Sequence, residues 1–399
     1  MEPKVKESSL FAEIDLISPA WKKKALEIHS NPETGRKEFF ASRLLWQALS
    51  EKGFRVKTGA AGLKTAFIAE KGLKSAPRKI AFLAEYDALP GMGHACGHNL
   101  IGPASAMAAI ALSETLSPRE ALIKVIGCPD EEYFGGKAAL LEKGAFKGIE
   151  AAFMAHGFYM NVGMRPTIGR ASLVFEFFGR PAHASTVPEK GINALDAVIS
   201  LFNNVALLRQ QVREEARIHG IITHGGAAAN IIPDYTRAEF YVRSKSVSYL
   251  SELKKKVIAC ARGAAKSTGA KLRVSSEGRD FLPLRENSVL ERAYEDAMRL
   301  TGGKVGILPP RDGFGSSDFG NISRAMPALH GYFRVSENEV RAHSTPFAEA
   351  SKSQMALSAM VSGAKALSAA ALSFVRNAKF REKVRAEFSK RIKEEKDNG

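Results

Sequence analysis

The stretch RKIAFLAEYDALPGMGHACGHN, residues 78–99, decides the fold. Its first half holds only apolar residues from Ile80 to Ala84. A strand reads that way when both of its faces are buried, as in a parallel sheet covered by helices. Its second half is a glycine-rich loop with Glu85, Asp87, His94, Cys96 and His98. The small apolar residues of IGPASAMAAIALSETL, residues 101–116, predict a closely packed helix after it. Strand, polar loop and helix make up the unit of an α/β sheet, whose ligands bind in loops at the carboxyl ends of the strands.

Working outward, the same alternation recurs. KTAFIAEKG (64–72), ALIKVIGCP (121–129) and IEAAFMAHG (149–157) read as strands, and GGKAALLEKGAF (135–146) as a helix. Upstream, Trp21, Ala25, Ile28 and His29 follow helical spacing, and EFFASRLLWQALSEKG (38–53) ends on a glycine stop. Near Gly169 the character changes. RASLVFEFFGRPAHAS (170–185), ARIHGIITHGG (216–226), TRAEFYVRSKS (236–246) and KLRVSSEG (271–278) read as strands. Two long amphipathic helices, GINALDAVISLFNNVALLRQQV (191–212) and SYLSELKKKVIACARGAAKSTG (248–269), lie between them. The order β-α-β-β-α-β is a ferredoxin-like α+β pattern. The α/β character then returns with MPALHGYF (326–333) as a strand and a final helix near Pro346, for which Thr345 is the expected cap. The expected organisation is an α/β domain with a mostly parallel sheet in two parts, residues 1–168 and 279–399, interrupted by an α+β domain at 169–278.

Composition bounds the function. An apolar share of 45% and a charged share of 25% belong to a soluble globular chain. No stretch reads as an export signal or a membrane span; serines and Lys365 interrupt the Ala-rich run from Met355 to Val375. Three cysteines point away from a disulfide framework and toward a reducing cytoplasm. The net charge of +16 raises nucleic acid as a partner, but the charges are scattered. The densest run, residues 376–399, mixes nine basic with five acidic residues and reads as a solvated helix. Neither a nucleic-acid nor a membrane partner is expected, and a basic surface suits anionic small substrates.

Metal-binding residue types cluster where an α/β sheet places its ligands. The loop after 78–85 brings Asp87, Cys96 and His98, and the loop after 121–128 brings Asp130, Glu131 and Glu132. His156 ends a strand, and His343 precedes the last helix. In extended chain, Cys96 and His98 would point to the same side and could share one ion. Glu131 and Glu132 diverge as neighbours, so one could bind metal while the other serves as general base. Each residue alone also has a bland reading: a buried thiol, solvated acids, a satisfied core histidine, or a loop histidine such as His183.

Taken together, the segments EIHSNPETGRKE, AEYDALPGMGHACGHNLIG, GCPDEE, MAHG, GRPAHAS, ANIIPD, SSDFGNIS and RAHST resemble the M20 metallopeptidase family of carboxypeptidases, aminoacylases and dipeptidases. The resemblance implies a zinc-peptidase-like catalytic domain with an inserted lid that makes a homodimer. It implies two divalent ions, zinc, manganese, cobalt or nickel, held by Cys96, His98, Glu132, His156 and His343. Glu131 would be the general base, His183 would stabilise the oxyanion, as such a lid histidine often does from the partner subunit, and Asn230 and Arg243 would hold the substrate. Two departures stand out. The family's His-x-Asp is Glu85-Tyr86-Asp87 here, leaving Asp87 to orient a ligand, and Asn99 follows the Cys-Gly-His motif where many amidohydrolases have Asp. This pattern is similar to the branch of p-aminobenzoyl-glutamate hydrolase and dipeptidase-like aminoacylases. The implied reaction is hydrolysis of the amide bond of an N-acyl amino acid or a dipeptide. Alternatives are an amidohydrolase of hippurate or indoleacetyl-amino acids, or a non-catalytic binding protein.

Overall fold

The structure is a computed structural model that describes residues 3–309 and 315–397. The chain divides into two compact units, one of residues 1–166 with 284–398 and one of Thr167–Pro283. The smaller unit runs past the expected boundary at Gly278 because Phe281 bridges back to Arg170.

In the larger unit, α1 (Pro3–Ser30) and α2 (Phe39–Glu51) precede β1 (Arg55–Thr58), β2 (Phe67–Lys71), β3 (Arg78–Glu85), α3 (His98–Thr115), β4 (Ala121–Cys128), α4 (Gly136–Glu142) and β5 (Ala151–Phe158). The inserted unit consists of β6 (Gly169–Phe178), α5 (Ala194–Leu208), β7 (Arg217–His224), β8 (Tyr235–Ser244), α6 (Val247–Thr268) and β9 (Lys271–Ser275). The larger unit resumes with α7 (Ser288–Leu300), α8 (Phe319–Ala325), β10 (Ala328–Arg334), α9 (Thr345–Ala350), α10 (Gln354–Arg376) and α11 (Ala378–Asp397).

The main sheet has the order β1-β2-β4-β3-β5-β10. Strands β4, β3, β5 and β10 are parallel, while β1 and β2 pair antiparallel at one edge. Alternating residues of the central strands serve two cores, which is why the strands read as unbroken apolar runs. Ile80, Phe82 and Ala84 face the core built by α1, α3, α7 and α10, whereas Ala81 and Leu83 face the one with Leu140, Phe319 and Ile322. The helix α3 is apolar around its whole circumference and is buried from His98 to Leu112. By length and composition α10 could cross a bilayer, but 72% of its most apolar window is buried in the protein.

The C-terminal end differs from the sequence expectation. Ser344, not Thr345, caps α9, its Oγ accepting the Phe347 N–H. Thr345 and Pro346 occupy the first turn, and α9 stops at Ala350 before two further helices. The sequence pattern also gave no sign of β1, α7 and α8.

The inserted unit is an antiparallel sheet of order β7-β8-β6-β9 carrying α5 and α6, the split βαβ arrangement. Its core joins Phe175, Phe177 and Phe240 to Val198, Leu201, Leu253 and Val257 of the helices.

Candidate active site

The parallel strands bring their carboxyl ends to one edge of the sheet, with Glu85 at the end of β3 in register with Cys128 at the end of β4. His156 lies two residues before the end of β5 and pairs with Tyr332 of β10. The loops beyond these ends carry the expected residues. Cys96 and His98 do not lie on extended chain. Gly97 is left-handed, with φ +78°, and His98 is the first residue of α3. The turn nevertheless points both side chains inward. His343 also has a positive φ, +64°, and its N–H donates to Ala95 O at 2.8 Å, tying it to the same loop.

Three groups of candidate ligands overlap: Cys96 with His98 and His156, Cys96 with Glu132 and His343, and His98 with Glu131 and Glu132. In each, one donor atom per residue lies within 4.8 Å of the others. Cys96 Sγ is 3.6 Å from His156 Nε2, and Glu132 Oε2 is 3.4 Å from His343 Nε2. All five residues expected as ligands therefore converge, in two trios that share Cys96.

The ring nitrogens are prepared for this use. His156 donates Nδ1–H to Gly157 O at 2.6 Å, and His98 donates Nδ1–H to Asp87 Oδ1 at 2.9 Å. In the neutral ring each leaves Nε2 as the free lone pair. His98 Nε2 is buried without a hydrogen bond, with Glu85 Oε2 at 3.4 Å and Glu132 Oε1 at 3.9 Å. Asp87 Oδ2 in turn accepts the Glu132 N–H at 3.2 Å. A buried, unsatisfied nitrogen facing carboxylates and a thiol fits a cation of the zinc or first-row transition-metal type.

The electrostatics favour positive charge. Burial alone would lower His98, yet Asp87, Cys96 and Glu85 hold it well above the usual imidazole range. Hydrogen bonds with Cys96 and Glu132 bring His343 to about 10. Burial takes His156 the other way, down to about 4. Burial and the nearby Glu85 carboxylate push Glu131 well above the usual carboxyl range.

Three neighbours of the site were not singled out from the sequence. Glu38 is buried and accepts from the Asp130 N–H at 2.9 Å and from Thr65 Oγ1 at 2.8 Å, which braces the Asp130–Glu132 loop. Lys137 and Asp318 are buried and paired with each other. His94, by contrast, sits in the expected loop but bonds Ile28 O at 3.1 Å and takes no part in the trios.

In the inserted unit, His183 and Asn230 are neighbours. A bridge joins His183 to Ile231, and the Ala184 N–H donates to Asn230 O at 3.0 Å. The His183 ring is exposed and lies 3.1 Å from Thr186 Oγ1. Arg243 is elsewhere. It sits on β8 opposite Arg170 and donates Nε–H to His219 Nε2 at 3.2 Å. The β6–β8 ladder runs from the Phe178–Tyr235 pair, near His183 and Asn230, to the Gly169–Ser244 pair, beside Arg243. At about 3.4 Å per residue the two ends are roughly 30 Å apart.

Residues 167–269 match the M20 peptidase dimerisation domain. A Xaa-Arg dipeptidase of Mus musculus is 38% identical over 349 residues, 84% of this chain and 80% of its own. The chain belongs to the M20 peptidase family. One component of the p-aminobenzoyl-glutamate hydrolase of Escherichia coli K12 is 30% identical, over 69% of this chain and 61% of its own. Among solved structures, a dinuclear metal-binding M20 peptidase of Bacillus subtilis aligns with a TM-score of 0.61 at 19% identity, covering 88% of this chain and 98% of that one. Membership fixes the class of chemistry: this M20 chain is a metal-dependent hydrolase of amide bonds.

Proposed function

We propose that this M20 enzyme hydrolyses the amide bond of dipeptides or N-acyl amino acids, with two divalent ions held by Cys96, His98, Glu132, His156 and His343. The convergence of these five side chains in trios sharing Cys96 carries the reading. Zinc, manganese, cobalt and nickel all suit a mixed sulfur, nitrogen and oxygen donor set. Bound there, the ions would supply Lewis acidity to the attacking water and to the scissile carbonyl.

The protein's own groups do the rest. Glu131 takes the proton from the water and returns it to the leaving nitrogen. His183 donates a hydrogen bond to the developing oxyanion. Asn230 holds the substrate amide, and Arg243 pairs with its carboxylate through a planar fork that Lys lacks. The distance between His183 and Arg243 along the β6–β8 ladder supports a homodimer in which each site draws on both subunits. Three free cysteines suit a reducing, cytoplasmic setting.

The likeness to the Xaa-Arg dipeptidase favours dipeptides with a basic C-terminal residue, and the likeness to the p-aminobenzoyl-glutamate hydrolase makes that amide the second candidate. A panel of basic dipeptides, p-aminobenzoyl-glutamate and hippurate, assayed on enzyme of measured metal content, tests the reading. Turnover of basic dipeptides above the other two is expected. Absence of any amidase turnover in the metal-loaded enzyme would remove it.

A further inference from the structure

The buried charges near Glu131 include one that amide hydrolysis, as described, leaves unused. Lys137 lies on the first turn of α4 and is fully buried, as are Asp318 at the start of α8 and Glu85 at the end of β3. Lys137 Nζ is 2.6 Å from Glu85 Oε1 and donates a shorter hydrogen bond to Asp318 Oδ1. The Lys137 backbone N–H donates to Asp318 Oδ2 at 2.7 Å. One oxygen from each of Glu85, Glu131 and Asp318 lies within 4.8 Å of the other two.

Three carboxyl groups this close, out of water, repel each other strongly when ionised unless a cation sits among them. Here the cation is the chain's own ammonium. Its route to that place is short. The Gly135 and Gly136 N–H groups donate to Asp130 O at 3.0 and 3.2 Å, closing the loop that carries Glu131 directly onto the helix that carries Lys137. The clamp also reaches the metal-ligand side, because the second oxygen of Glu85 is 3.4 Å from His98 Nε2.

We propose that Lys137 is a positioning residue for Glu131: clamped between Glu85 and Asp318, its ammonium holds the Glu131 carboxylate inside the triangle, beside the metal ligands. The proposal rests on Glu131 being the base. Without the ammonium, repulsion turns Glu131 away from the attacking water, while the donors of the metal trios keep their own partners.

Lys137→Met matches the side-chain length and removes the charge. It is expected to lower kcat about 100-fold, the scale of an ångström-level misplacement, with KM and bound metal within about twofold of wild type. Lys137→Met/Asp318→Asn, which removes one charge of each sign, is expected to recover about tenfold of that loss. Wild-type kcat in Lys137→Met overturns the proposal. So does loss of bound metal in step with activity, which would make the lysine a strut of the metal site. If Lys137→Met does not fold, Asp318→Asn decides: kcat about tenfold lower at unchanged KM supports the clamp, and wild-type kcat overturns it. Glu131→Gln is assayed alongside. If it turns over normally, the base assignment itself has failed; if it is inactive while Lys137→Met is normal, only the clamp has failed.

Discussion

Asp87 and His98 are joined at 2.9 Å between Oδ1 and Nδ1, and the same carboxylate accepts the Glu132 N–H through Oδ2. One buried side chain thus sets the tautomer of one proposed ligand and the backbone position of another. Such outer partners raise the basicity of the imidazole and fix its direction.

Asp87→Asn tests this directly. The amide keeps the shape but can no longer offer a carboxylate to the Nδ1–H. Metal affinity is expected to fall roughly 10- to 100-fold, while kcat at saturating metal falls much less. Competition with a calibrated chelator measures the first quantity. An affinity equal to wild type would detach Asp87 from the metal site.

Much of this arrangement was legible in the sequence, and the reasons are local. Apolar runs such as Ile80–Ala84 mark strands buried on both faces, and the residues just after them must lie at one edge of a parallel sheet. Cys96 and His98 do converge, but not through the extended geometry expected of them. A left-handed glycine and a helix start bring them together instead. Lys137 left no local signal, and Glu38 and Asp318 lie in segments that carry the resemblance without a role being read for either. The meaning of each comes from a partner 181 residues away, for Lys137 and Asp318, or 92 residues away, for Glu38 and Asp130. The separation of His183 from Arg243 likewise follows from strand pairing rather than from either motif.

Glu38 gives the protein a pH-dependent stability. Burial, reinforced by Asp87, raises its carboxyl from 4.5 to about 7. The folded state therefore binds this proton more tightly than the unfolded chain does, so stability falls as pH rises from about 4.5 to about 7. At about 1.4 kcal/mol per unit, the loss is at most roughly 3.5 kcal/mol. Glu38→Gln removes the titration. Thermal midpoints measured from pH 5 to 8 at fixed metal loading are expected to favour the variant increasingly as pH rises. A pH-independent difference between the two proteins would contradict this account.

The proposed sharing of sites between subunits is tested by complementation. His183→Ala and Glu131→Ala are each expected to be nearly inactive, the second with its metal retained. After subunit exchange, a mixed dimer holds one site with an intact Glu131 from one chain and an intact His183 from the other. Random exchange should return about a quarter of wild-type activity. No recovery after exchange verified by mass spectrometry would place His183 and Glu131 of one site in the same subunit.

Gly136 tests how tightly the Asp130–Glu132 loop is packed. A Cβ on Gly136 would lie 1.8 Å from Pro129 O, a backbone atom that cannot rotate away. Gly136→Ala must therefore move the chain just before Glu131 and Glu132. Overpacking of this kind costs about 1–3 kcal/mol, and here it should also weaken metal binding. Gly144 supplies the control. It lies in the same segment with φ +78° and nothing within 4 Å of an added Cβ. Gly144→Ala should show only backbone strain of about 1–2 kcal/mol, with wild-type metal affinity and kcat. Denaturation midpoints and metal titration of the two variants separate a displaced loop from a merely strained residue, and equal metal affinity in both would show that the Pro129–Gly136 contact does not set the position of the glutamates.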